Sequence, residues 1–187
     1  MSLIGKKVSE FKVNAYVNGE FKTFTHENLE GKWSAFVFYP ADFTFVCPTE
    51  LGELADKYAE FQKIGCEIYS VSTDSQYVHK AWADASDTIK KITYPMLADP
   101  THALAKDFEV LIESDGMALR GTFIINPQGE IAAYEINSNS IGRNADELLR
   151  KVQAAQFVAE HGDQVCPASW KPGADTLKPS FDLVGKI

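Results

Sequence analysis

"KWSAFVFYPADFTFVCPTELGELADKYAEFQKIGCEIYSVST" (residues 32–73) decides the architecture. Residues 32–40 form a short continuous apolar run, rich in aromatics and closed by Pro40, which reads as a strand buried on both faces. From residue 51 the period changes: Leu51, Leu54, Ala55, Tyr58 and Phe61 fall on one helical stripe, and Gly65 ends it. Residues 66–73 return to strand character. Strand, helix and strand at this spacing make a right-handed parallel unit.

Downstream, Asp74 or Ser75 caps a second helix expected to bury Val78, Ala81, Trp82, Ala85, Ile89 and Ile92. Asp99 followed by Pro100 predicts the start of a third helix. Residues 121–136 then give two strands around Asn126-Pro127-Gln128-Gly129, a hairpin signal. Asn144, with Glu147 three residues on, caps a long helix expected to bury Leu148, Leu149, Val152 and Ala155. This order, βαβ followed by ββα, points to an α/β thioredoxin-like sandwich with a central mixed sheet flanked by helices. The expected division is a domain over residues 1–161 and a tail over 162–187, where Pro167, Pro172, Gly173 and Pro179 break any long element. Trp170, Leu177, Phe181, Leu183 and Val184 make that tail apolar enough to need a surface to pack on, such as a neighbouring subunit.

The chain's 187 residues suffice for a single domain with its own core, and 45% hydrophobic with 24% charged residues is ordinary for a soluble protein. A formal charge of −8 without a Lys/Arg cluster argues against a nucleic-acid partner and against an anionic membrane surface. With no long apolar run and no signal-like start, the expected location is cytoplasmic. Cys47, Cys66 and Cys166 are an odd, widely spaced set with no CxxC pair, so neither a disulfide framework nor a zinc site is expected. No metal, haem or flavin site is visible, and no cofactor is expected.

Cys47 falls where the first strand has ended and the first helix begins. There, unpaired backbone N–H groups and the positive end of the helix dipole favour an anion, one of the standard ways of activating a thiol. Pro48 suits a first turn, where its missing N–H costs nothing. The plain alternative is a buried, inert cysteine. Full ionisation raises thiolate content by at most ~30-fold, about 2 kcal/mol. Enzymes lower barriers by ~8 kcal/mol or more, so further groups must position the substrate and stabilise charge. Thr44 and an arginine from elsewhere in the chain are the candidates. His26, His79, His102 and His161 show no pairing with Cys47 of the kind a Cys-His protease needs.

Residues 38–50, FYPADFTFVCPTE, resemble the active-site signature of typical two-cysteine peroxiredoxins, PxxxTxxC, here Pro40, Thr44 and Cys47. VCPA at 165–168 is similar to that family's second-cysteine motif, and the closing PSFDLVGKI resembles its bacterial alkyl hydroperoxide reductase branch. The resemblance implies a thiol-dependent peroxidase for antioxidant defence, reducing hydrogen peroxide and small organic hydroperoxides. In it, Cys47 is the peroxidatic cysteine, Thr44 hydrogen-bonds the peroxide, Pro40 shields the site and Arg120 is the catalytic arginine. By spacing alone Arg120 could equally be a surface residue. Glu50 would orient the arginine network or merely favour the helix dipole, and Trp82 would border the loop or simply pack in the core.

The resemblance further implies that Cys166 resolves the oxidised Cys47 as an intersubunit disulfide. It implies a homodimer, five of which assemble into a ring that Val78 helps to seal, and a reductase partner, either an NADH-drawing flavoprotein or thioredoxin. The inserts that sensitise eukaryotic relatives to overoxidation are absent, which suggests resistance to it. Cys66 is expected to be a core residue. Disulfide exchange of the thioredoxin kind and a chaperone or peroxide-sensor role are the rival readings.

Overall fold

Trp33–Phe38 (β3) is apolar except for Ser34 and buried from residue 34 onward: strands bond to both of its edges, and its side chains pack on both faces of the sheet. The computed structural model describes residues 2–186. It divides into two units, one ending at Ala145 and the other beginning at Asp146.

In the first unit, a hairpin of β1 (Lys12–Val17) and β2 (Glu20–Thr25) precedes β3. Helix α1 (Cys47–Lys63) leads to β4 (Cys66–Ser72), and α2 (Gln76–Ala85) and α3 (Asp87–Lys90) lead to β5 (Met96–Ala98). Then come α4 (Ala103–Asp107), the small pair β6 (Leu111–Ile112) and β7 (Met117–Ala118), and the hairpin β8 (Arg120–Ile125) and β9 (Ile131–Asn137). Seven strands form one sheet in the order β2-β1-β5-β4-β3-β8-β9. β3, β4 and β5 run parallel, and the remaining pairings are antiparallel. The expected mixed sheet and its βαβ unit are therefore present. Phe36 lies opposite Tyr69 on one neighbour and Phe123 on the other, and with Phe38 and Phe108 these rings form an aromatic core, Phe108 and Phe123 centred 4.8 Å apart.

Three expectations about helices need correction. The stretch after Ser75 is two helices, because Ser86 adopts an extended backbone, ends α2 and caps α3 with its side chain. The buried face of α2 is therefore His79, Trp82 and Ala83, while Ala81 and Ala85 are exposed and Val78 is half-buried. Asp99 is not the N-cap of the next helix, which starts at Ala103 after His102: its carboxylate accepts from Leu104 and Ala105 N–H from three residues further back, and Pro100 lies in the turn before the helix. The hairpin of β1 and β2 is an element the sequence expectations do not include, although Asn18 and Gly19 at its turn both have positive φ, a combination those residues favour.

The second unit contains most of α5 (Ala145–Glu160) and an extended tail. Leu148, Leu149 and Val152 are buried as expected, and Ala155 is half-buried. The tail folds back on itself through a bridge of Val165 with Leu177, an ion pair of Lys178 with Asp163 at 2.5 Å, and a hydrogen bond from Thr176 to Gln164. Trp170 is buried against Phe157, whereas Phe181 (98% exposed) and Val184 stand in solvent. Among the described residues, no helix is long and apolar enough to cross a membrane.

Candidate active site

Parallel β3 and β4 end on the same side of the sheet, and the loop of residues 39–46 leaves from that end. Antiparallel β8 pairs Thr122 with Val37, so its first residue, Arg120, lies beside the same end. A residue far away in sequence is thus delivered to the start of α1 by sheet topology.

Cys47 is the first residue of α1 and is fully buried. Val46 precedes it without a side-chain cap, and Pro48 lies in the first turn, as expected. Arg120 Nη1 donates to Cys47 Sγ at 3.3 Å and to Glu50 Oε2 at 2.7 Å, and Nε donates to the Asn139 carbonyl at 2.9 Å. Glu50 also binds Arg143, accepting from its backbone N–H at 2.8 Å, from Nε at 2.9 Å and from Nη2 at 2.9 Å. Arg143 Nη1 donates in turn to the Gly121 carbonyl and Thr122 Oγ1. All three charged side chains are nearly inaccessible to solvent.

Burial pushes the Glu50 carboxyl up, but hydrogen bonds from Arg143 and the charges of Arg143 and Arg120 outweigh it and hold the group below the usual carboxylate range. Two buried guanidiniums with one carboxylate leave one positive charge without a carboxylate partner, and Arg120 carries its guanidinium to 3.3 Å from Cys47 Sγ. The cluster is thus suited to hold a thiolate and to stabilise negative charge developing beside it.

Thr44 donates its hydroxyl to the Ala41 carbonyl at 2.8 Å, leaving the oxygen's lone pairs to accept, and Pro40 is buried. Trp82 is buried, with its ring 6.2 Å from Tyr39 and 6.0 Å from Phe43, so it packs in the core and borders the loop at once. Cys66 is buried with its thiol pushed up to about 12 by desolvation and the Glu67 charge, as expected of a core residue. Cys166 belongs to the second unit, half-exposed, with Sγ 3.9 Å from the Ala154 carbonyl. Desolvation raises its thiol above the usual value against an opposing influence from Arg150. His79 pairs with Asp42, and His161 with the Phe157 carbonyl. Among the described residues no group of three or more His, Cys, Asp or Glu could hold a metal.

Sequence reasoning missed Arg143, Asp42 and His79. Arg143 follows a strand and precedes a helix cap, a position open to any polar residue, so nothing local marked it.

The AhpC/TSA family matches residues 4–134, and the C-terminal domain of 1-Cys peroxiredoxin matches residues 154–187. The chain is 57% identical to alkyl hydroperoxide reductase C of Salmonella typhimurium and 55% identical to that of Bacillus subtilis, each over the full length of both chains. Among solved structures it resembles Enterococcus faecalis AhpC at a TM-score of 0.88 and 60% identity, covering 89% of this chain and all of that one. It also resembles the reduced 2-Cys peroxiredoxin of Plasmodium vivax at a TM-score of 0.92 and 34% identity, covering 97% and 96%.

Proposed function

Because the chain belongs to the AhpC/TSA family, as a 2-Cys peroxiredoxin of the AhpC type and a thiol-dependent peroxidase, we propose that its catalytic centre is Cys47 held by Arg120 and Glu50. The observation that carries this reading is the 3.3 Å contact between Arg120 Nη1 and Cys47 Sγ. The thiolate attacks one oxygen of the hydroperoxide and breaks the O–O bond. The departing oxygen takes a proton and leaves as water or alcohol, and Cys47 is left as a sulfenic acid. Arg120 and the first-turn N–H groups stabilise charge on the oxygens, Thr44 accepts the peroxide's proton in a hydrogen bond, and Pro40 keeps water from the sulfur. Glu50 and Arg143 position Arg120, and Trp82 supports the loop.

Cys166 then closes the cycle. Its thiolate attacks the sulfenic sulfur of the partner subunit, hydroxide leaves as water, and an intersubunit Cys47–Cys166 disulfide forms. Two electrons from a reductase, a flavoprotein or a thioredoxin-like protein, restore both thiols. In this reading residues 162–187 form the tail that delivers Cys166 to a domain of residues 1–161. The relatives' name supports alkyl hydroperoxides as substrates alongside hydrogen peroxide. Exposed Phe43, Phe45 and Tyr77 support assembly of dimers into a ring of ten chains, and the protein works in the cytoplasm.

Non-reducing electrophoresis after one equivalent of peroxide tests the cycle. A covalent dimer is expected from the wild type and from neither Cys47→Ser nor Cys166→Ser. Peroxidase activity surviving in Cys47→Ser would overturn the assignment.

A further inference from the structure

Asp42 lies between Pro40 and Thr44, yet the mechanism above gives it no part. Its carboxylate and the imidazole of His79 are both fully buried. Each carboxylate oxygen is engaged: the Tyr39 hydroxyl donates to Oδ1 at 2.7 Å, and His79 Nδ1 lies 2.7 Å from Oδ2. His79 Nε2 sits 3.2 Å from the Leu97 carbonyl, which can only accept. The Asp42 backbone N–H donates to Asp74 Oδ2 at 2.8 Å, and Ser72 Oγ donates to the same oxygen at 2.8 Å. One loop residue is thereby tied to the ends of β3 and β4, to α2 and, through the imidazole, to β5.

The restraint stops at the next residue. Phe43 has φ +56°, a strained conformation for a bulky side chain, and its ring is 56% exposed, while Phe45 is 93% exposed. A fully satisfied buried polar network is rigid, and a strained, exposed segment beside it gives way first.

We infer that the Asp42–His79 pair is a positioning anchor: it fixes the loop up to residue 42, confines unwinding after oxidation to the segment from Phe43 onward, and sets how often that segment opens. The inference rests on the peroxidase cycle proposed above. Closed, the segment presents Cys47 to peroxide. Open, it presents the oxidised sulfur to Cys166.

Rapid mixing with peroxide, following tryptophan fluorescence and disulfide formation by quenched electrophoresis, separates the two steps. In His79→Gln the disulfide step is expected to quicken about tenfold as the open population grows, with the peroxide step unchanged or slower. Sulfinic acid formed at excess peroxide falls accordingly. Merely structural damage accelerates neither step. Asp42→Ala is expected to act alike, and the double variant to fall short of the product of the two. Should Asp42→Ala fail to fold, Asp42→Asn keeps the shape and gives a smaller acceleration in the same direction. A disulfide step in His79→Gln that is slower than wild type, or within about twofold of it, overturns the anchor, as do single effects that multiply in the double variant. A wild type that forms no Cys47–Cys166 disulfide fells the catalytic reading instead, and this inference with it.

Discussion

Arg120 meets three acceptors at once, the Asn139 carbonyl through Nε and both Glu50 and Cys47 through Nη1. A lysine keeps the charge but offers one flexible ammonium in place of a planar fork. Arg120→Lys is expected to lower kcat/KM for peroxide by about 10²-fold, the loss that follows removal of one preorganised donor. Stopped-flow rates near wild type would remove Arg120 from the centre. Glu50 carries a pH signature. Its carboxyl is held below the ordinary value of 4.5, so its stabilising contribution is complete above that value and is lost as pH falls through the lower folded value. Asp107, lowered by Lys6 and Ser9 against its burial, acts in the same direction. Urea unfolding at neutral and at acid pH is expected to show a steeper acid loss in wild type than in Glu50→Gln. An equal loss in both would place the acid sensitivity elsewhere. The buried Cys66 thiol, pushed up to about 12, is expected to resist iodoacetamide at neutral pH in the native protein. Peptide mapping after alkylation reads this directly.

At the scale of elements, what was legible in the sequence depended on how local the cause was. β3, α1 and β4 were readable because burial on both faces and a clean helical stripe leave marks within a few residues. The break between α2 and α3 was not, since Ser86 reads as a helix surface residue until its backbone is seen to extend and its side chain to cap Ile89. Taking one helix through that point put the apolar face on Val78, Ala81 and Ala85 and hid His79. β8 poses a sharper constraint. A Cβ on Gly121 would stand 2.7 Å from Val110 and 2.8 Å from the Phe123 ring, so β8 lies flush against its neighbours only because residue 121 has no side chain. Gly121→Ala is expected to destabilise the fold by ~1–3 kcal/mol through overpacking. Because Gly121 follows Arg120 and its carbonyl holds Arg143, the same shift misplaces both guanidiniums. Thermal unfolding and peroxide kinetics should decline together, and a full-activity Gly121→Ala protein would show that β8 yields without moving the arginines.

At the scale of the whole molecule, the candidate site was half legible. Pro40, Thr44 and Cys47 lie in one continuous stretch, where turn chemistry and a helix start declare themselves. The charged frame around them is assembled across the chain: Arg120 is 73 residues from Cys47, Arg143 is 93 from Glu50, and His79 is 37 from Asp42. Only strand order brings such groups together, and strand order is not written in local periodicity. Assembly is a further step removed, because it shows first as exposed apolar surface. Phe45 is 93% exposed on the same loop that carries Cys47, and Tyr77, 66% exposed in the first turn of α2, meets the half-exposed Phe21 with ring centroids 5.3 Å apart. Side chains of this size are seldom left in water without a partner surface. If Phe45 is covered by another chain in the proposed ring, closing the loop and closing the ring stabilise one another. Phe45→Glu is then expected to dissociate the reduced ring toward dimers. Wild type oxidised to the disulfide is expected to shift the same way, because the opened loop withdraws Phe45. Sedimentation velocity at matched concentrations reads both. Reduced wild type, oxidised wild type and Phe45→Glu sedimenting as one identical species would uncouple the loop from assembly, leaving Phe45 exposed for another reason.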